Sequence, residues 1–172
     1  MNIPLRKLGK SDLQISPLGL GCWQFSKQTG LVGKNWSSLT DEETTNIVKV
    51  SIDGGINWFD TAEIYGHGKS EQSLSNALNK IGLKPSEAII ATKWWPNGRW
   101  APSIKKTIDK RISNLGGYPI TLHQIHSPLG FSSIEKEMNA MADLIEEGKI
   151  KYVGVSNFNA IRMRRAYEAL DR

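Results

Sequence analysis

Cysteine is almost absent: Cys22 is the single one in 172 residues. One thiol excludes an internal disulfide and any zinc cluster built on cysteines. It suits a reducing compartment, so a cytoplasmic location is expected. No run approaches the ~20 apolar residues of a membrane-spanning helix, so no membrane association is expected. The opening residues, Met1-Asn2-Ile3-Pro4-Leu5-Arg6-Lys7, lack the apolar core of a secretion signal. No metal-ligand set is evident. Internal repeats, low-complexity segments and linkers are lacking too, so residues 1–172 read as one domain.

A large charge imbalance is also missing. Lys and Arg number 22 against 17 Asp and Glu, a formal net charge of +5. That could serve an anionic partner. The basic residues are dispersed, however: Lys105, Lys106, Lys110 and Arg111 mix with Asp109 on one predicted helix, and Arg162, Arg164 and Arg165 lie on another. With no recognition motif and no aromatic-basic interleaving, nucleic acid is not an expected partner. Solvated helix faces account for these charges.

What is present is alternation. Short apolar runs alternate with amphipathic segments, the pattern of βα units around a parallel sheet. Leu5 to Ser16, with a Gly9-Lys10-Ser11-Asp12 turn, predicts a small hairpin. Predicted strands follow at Pro17–Trp23, Ile56–Asp60, Ala88–Lys93, Ile120–His126 and Tyr152–Ser156. Thr40-Asp41-Glu42-Glu43 opens the first helix as a capping box, and Gly54-Gly55 stops it. Further helices are marked by Leu74, Ala77, Leu78 and Ile81, by Ile104, Ile108, Ile112 and Leu115, and by Met138, Met141, Ala142 and Ile145. Asn159 caps a fifth helix predicted to reach Leu170. The long polar loop from Ser26 to Leu39 is a candidate lid.

Strand side chains alternate faces. Ile56, Trp58 and Asp60 share one face, as do Ile89, Ala91 and Lys93, then Leu122, Gln124 and His126, then Tyr152, Gly154 and Ser156. Each set ends on a polar residue at the strand's C-terminal end. In a parallel βα array those ends gather where ligands bind. Tyr65 lies five residues past Asp60, in the following loop. A buried Lys93 needs a counter-ion, and Asp60 on the neighbouring strand is the natural one. A phenol has a reference pKa of roughly 10. An adjacent ammonium should lower it, making Tyr65 a general acid with Lys93 and Asp60 behind it. His126 would aim a carbonyl oxygen at the hydroxyl. With no strong nucleophile in the set, a hydride from a nicotinamide is the expected attacking group.

These segments resemble the aldo-keto reductase superfamily. Asp60-Thr61-Ala62-Glu63-Ile64-Tyr65-Gly66, continuing to Gly68-Lys69-Ser70-Glu71, is similar to the family's signature around its catalytic Asp and Tyr. Ala91-Thr92-Lys93 is similar to its lysine strand, and Gln124-Ile125-His126-Ser127-Pro128 to its histidine strand. Gly154-Val155-Ser156-Asn157-Phe158 is similar to the segment that holds the nicotinamide carboxamide, and Gly19-Leu20-Gly21-Cys22-Trp23 to the first strand. The resemblance implies an α/β fold, a (β/α)8 TIM-type barrel with an N-terminal β-hairpin. It implies reduction of aldehydes or ketones with NADPH, NADH being the alternative. Asp60, Tyr65, Lys93 and His126 would be catalytic. Gly21, Cys22, Trp23, Asp60, Ser156 and Asn157 would contact the cofactor. Trp23, Trp94 and His126 would contact the small carbonyl substrate. Trp94 and Trp95 would form an aromatic wall, packing against loops being the other reading. Cys22 is expected to be a buried filler. Two alternative functions are a non-catalytic, cofactor-holding family member and a barrel aldolase using Lys93 as a Schiff-base nucleophile. Thr121 departs from the family, which often has an acidic residue there; only local packing should feel it.

A complete barrel runs to roughly 250 residues. This chain accounts for about five βα units, so an incomplete barrel, a partial chain of a longer reductase, is expected. Open edges and a half-bare interior predict self-association as the alternative. Size-exclusion chromatography with light scattering checks the point: a stable, well-folded monomer would count against both expectations.

Overall fold

The computed structural model describes residues 4–30, 34 and 37–170. Strand β1 (Arg6–Lys7) pairs antiparallel with β2 (Gln14–Ile15), with Arg6 opposite Ile15. This is the predicted hairpin. A five-stranded parallel sheet follows, in the order β3 (Leu20–Gly21), β4 (Trp58–Asp60), β5 (Ile89–Trp94), β6 (Ile120–Ile125) and β7 (Ile150–Val155). Helices α1 (Asp41–Asp53), α2 (Lys69–Ile81), α3 (Pro102–Asn114) and α4 (Ile134–Glu146) connect successive strands, and α5 (Ala160–Glu168) follows β7. Strand order equals chain order, as in a barrel, but the sheet is an open arc with β3 and β7 at its edges. The fold is thus α/β, an incomplete barrel of five βα units. No helix among the described residues is long and apolar enough to cross a membrane.

Local chemistry sets the element ends. Thr40 Oγ1 accepts from the Glu43 amide at 3.1 Å while the Glu43 carboxylate accepts from the Thr40 amide at 2.7 Å. This reciprocal cap satisfies two of the amides that a helix start leaves open. Asn159 Oδ1 accepts from the Arg162 amide at 2.9 Å and starts α5, which ends at Glu168, short of Leu170. The first strand is shorter than Pro17–Trp23: only Leu20 and Gly21 pair, and the chain then winds into a short 3₁₀ turn, Trp23–Ser26. At Gly19 a side chain would overlap the Trp58 ring, so the backbone can pass there only as glycine. The candidate lid falls partly outside the described residues. Its flanks are tied down: Lys27 Nζ donates to Leu39 O at 2.5 Å and lies 2.8 Å from Asp41 Oδ1.

The core lies between the sheet's outer face and the helices. Phe59, Ile90, Trp94 and Ile125 from the strands are fully buried against Leu74, Leu78, Ile104, Ile108 and Met141. Each such side chain contributes roughly 1.5–3 kcal/mol by leaving water. Two helical stripes differ from expectation by one residue. In α4 the buried line runs through Met138, Met141 and Leu144, and Ile145 is exposed. In α3 Ile112 is exposed and Arg111 is 4% exposed. Arg111 is therefore not on a solvated face. Its Nε lies 3.2 Å from Oε2 of Glu71, which is fully buried. Glu71 also accepts from Thr92 Oγ1 at 2.6 Å and Asn114 Nδ2 at 2.9 Å. Burial raises the Glu71 pKa, and the Arg111 charge opposes that rise. Polar partners across the α2–α3 contact thus override the apolar periodicity. Thr121, buried at the start of β6, accepts from the Ile90 amide at 3.4 Å, a local packing role.

Removing one partner of a buried ion pair strands the other. Arg111→Ala should lower unfolding free energy by about 3–5 kcal/mol in urea titration. Ile112→Ala on the adjacent exposed position should cost under ~1 kcal/mol.

Candidate functional site

Alternation along the strands sends Phe59, Ile90, Thr92 and Trp94 outward and leaves Trp58, Asp60, Ala91, Lys93, Gln124 and Gly154 on the concave face. Register sets their heights. Asp60 pairs with Ala91, and Lys93 pairs with Gln124, which pairs with Gly154. Lys93 is thus two residues beyond the level of Asp60. Its side chain reaches back so that Nζ lies 2.6 Å from Asp60 Oδ2 and donates to Thr61 O at 3.0 Å. At 5% exposure, Lys93 needs both contacts to replace its lost hydration. His126 lies one step past β6, its amide donating to Trp94 O at 3.1 Å.

Tyr65 closes the group. Lys93 Nζ lies 5.1 Å from its ring centroid. The His126 ring meets it edge-on at 5.6 Å, and Trp23 stacks on it at 5.6 Å with 17° between planes. The turn that follows needs glycine. Gly66, His67 and Gly68 all have left-handed backbones, with φ of 64°, 52° and 93°. A side chain at Gly66 would meet Ser26 O, and one at Gly68 would meet Asn114 Nδ2.

The electrostatics correct one expectation. Lys93 does not lower the phenol's pKa. Burial and the nearby Asp60 charge push Tyr65 up to about 12. Burial, which disfavours the phenolate, is the larger of the two causes. Tyr65 therefore keeps its proton throughout the neutral range. Burial, then the Lys93 charge, pushes His126 down to about 4, so its ring is neutral at pH 7. Its Nδ1 is buried without a partner, as is Gln124 Oε1 on the same face.

Other expected site residues sort by side. Gly21 has open space where a side chain would be. Asn157, at φ 60°, donates from Nδ2 to His126 O at 2.8 Å and to Ser156 Oγ at 3.1 Å. That leaves Asn157 Oδ1 and the Ser156 hydroxyl proton uncommitted. The side chains of Cys22 and Trp94 are buried in the core. The Cys22 side chain is fully buried in the core, its Sγ on Leu20 O at 3.5 Å, and burial drives its thiol pKa far up. Its side chain fills the core, as expected of a buried filler. Trp94 has the parity of Ile90, so its ring packs among the helices and Nε1 donates to Ser103 Oγ at 3.1 Å. Trp95 forms the aromatic wall instead, edge-on to His126 at 5.1 Å. Glu63 and Arg99, which hold Trp95, were not singled out in the sequence. The only signal was a carboxylate inside the Asp60–Tyr65 segment and an arginine four residues past Trp95.

Residues 17–171 match the model of the aldo/keto reductase family. The chain belongs to that family. An uncharacterized oxidoreductase of Mycobacterium tuberculosis is 36% identical over 159 residues, 92% of this chain and 47% of that protein. The chain spans about half the length of the curated relatives it matches. Among solved structures, the thermostable aldo-keto reductase Tm1743 with the inhibitor epalrestat superposes with a TM-score of 0.84. It is 27% identical, and the match covers 97% of this chain and 58% of that one. An aldo-keto reductase from Klebsiella pneumoniae in complex with NADPH has the same fold, with a TM-score of 0.80. There identity is 21%, with 98% and 54% covered.

The histidine electrostatics are directly measurable. His126 and the buried His123, also pushed down to about 4, should titrate near pH 4 by NMR. Below pH 6.5 the unfolded chain takes up protons that these folded rings refuse. Each ring therefore removes stability as pH falls from 6.5 toward 4. A His126 midpoint near 6.5 would refute the environment described for this aldo/keto reductase site.

Proposed function

We propose that this chain carries the proton-delivery site of an NADPH-dependent carbonyl reductase, with Tyr65 as the general acid. The carrying observation is the joining of Tyr65, Lys93, His126 and Asp60 on one concave face at the strand ends. The uncommitted polar atoms of Ser156 and Asn157, the unpartnered Gln124 Oε1 and the open space at Gly21 suit a nicotinamide amide and ring. When bound, the nicotinamide supplies a hydride to the carbonyl carbon.

The chain's own residues do the rest. Tyr65 holds its proton at neutral pH and gives it to the carbonyl oxygen as negative charge develops there. Lys93 stabilises the phenolate left behind, and Asp60 holds the ammonium in place. His126, neutral, offers a ring N–H that orients the carbonyl oxygen without competing for the proton. Trp23 and Trp95 wall the substrate position with aromatic surface, excluding water from a small aldehyde or ketone. The preference for NADPH over NADH rests on the family. An aldolase using Lys93 is disfavoured because Nζ is engaged by Asp60 and Thr61 O. A cytoplasmic setting suits the single buried thiol.

Tyr65→Phe should lower kcat for aldehyde reduction by about 10²–10⁴ while NADPH affinity, read by fluorescence titration, stays near the parent value. Undiminished carbonyl reduction in that variant would refute Tyr65 as the acid. NADPH binding with no turnover by the parent would favour a non-catalytic, cofactor-holding role.

A further inference from the structure

We propose that Glu63 is a positioning residue: its carboxylate locks the segment bearing Tyr65 onto the end of the strand bearing Lys93 and, through Trp95, sets the His126 ring. The proposal rests on the reading of Tyr65 and His126 as the reacting groups.

Past β4, the chain continues the parallel ladder with β5: the Thr61 amide donates to Ala91 O at 2.9 Å and the Glu63 amide to Lys93 O at 3.0 Å. After Glu63 the chain turns, with the Tyr65 amide donating back to Ala62 O at 3.1 Å. The Trp95 amide then lacks a carbonyl partner in the ladder. Glu63 supplies one from its side chain: Oε2 accepts from Trp95 N at 3.1 Å. Its other oxygen accepts from Arg99 Nη1 at 2.8 Å, and that same nitrogen donates to Trp95 O at 3.1 Å. Both backbone polar groups of Trp95 are therefore held by the Glu63–Arg99 pair.

The consequence is a closed circuit. Glu63 holds Trp95, the Trp95 ring meets His126 edge-on at 5.1 Å, and His126 meets Tyr65 at 5.6 Å. Tyr65 sits two residues from Glu63, which completes the loop. A buried cation lies behind it: Arg111 Nη1 is 3.9 Å from Glu63 Oε1, and Arg111 pairs with the buried Glu71. Glu63 itself is mostly buried, its side chain 17% exposed. Productive geometry tolerates little slack, and a misplacement of about 1 Å can cost about a hundredfold in rate. A carboxylate that ties the acid's loop to the lysine's strand limits that slack.

The test compares Glu63→Ala, Glu63→Gln and Arg99→Ala with the parent by NMR. In Glu63→Ala the Trp95 amide should exchange with solvent at least about tenfold faster, while β6 amides stay protected. The His126 midpoint should rise from about 4 toward 6.5 as its wall loosens, and His123 should not move. Glu63→Gln keeps an acceptor for the Trp95 amide and should restore its protection. Arg99 is a quarter exposed, so Arg99→Ala should fold even if Glu63→Ala does not, and should loosen Trp95 in the same direction. A folded Glu63→Ala or Arg99→Ala with parent-like Trp95 exchange and His126 midpoint overturns the proposal. Carbonyl reduction with NADPH is the second readout: kcat should fall by about tenfold, with KM for NADPH little changed. Movement of His126 without a fall in rate supports the positioning and sinks the catalytic reading of Tyr65 and His126. A fall in rate without that movement sinks the positioning.

Discussion

The site depends on one buried ammonium. Lys93 is 5% exposed, and the idealised cost of moving such a charge out of water far exceeds any single packing gain. Asp60 and the Thr61 carbonyl answer that cost, and both come from the neighbouring strand and its exit. The pairing is available because β4 and β5 are parallel and in a register that puts Asp60 opposite Ala91, two residues before Lys93. A slip of one residue would turn Asp60 to the opposite face and leave Lys93 unpaired. The ion pair is therefore both a product of the sheet and a lock on its register.

Burial and charge together set the acidities. Burial first, and then the nearby Asp60 charge, hold the phenol of Tyr65 up at about 12. In the proposed reaction Lys93 would stabilise the charge that appears on Tyr65 as its proton leaves. His126, pushed down to about 4 by burial and by the same ammonium, stays neutral and can donate an N–H without itself becoming a competing acid. Burial, the larger cause for both rings, keeps each in the protonation state the proposed chemistry needs.

Behind the concave face lies a second polar system with another purpose. Glu71 accepts from Thr92 and Asn114 and pairs with Arg111 in the α2–α3 layer, and Thr92 is the outward neighbour of Lys93. Glu63 and Arg99 sit between this layer and the site. The inward residue of β5 thus faces the chemistry while the outward ones brace it, as expected when a strand's two faces meet different surroundings.

Much of this was legible in the chain. Capping by Thr40 and Glu43, the hairpin turn and the alternation that puts Asp60, Lys93, His126 and Ser156 at strand ends are local properties of spacing and side-chain chemistry. So is the order of the five βα units. The rest was decided by tertiary contact. Trp94 and Trp95 are adjacent and chemically identical, and only strand parity buries one and turns the other to His126. Arg111 reads as one more surface cation until α2 brings Glu71 against it. Ile112 and Ile145 fit helical stripes that the packed helices rotate past by one position. The Tyr65 pKa moves opposite to what a nearby lysine suggests, because the burial of its ring and its closeness to Asp60 exist only once the chain has folded. Periodicity and turn chemistry act within a few residues and survive in the sequence; partner choice and burial depend on distances that folding alone creates.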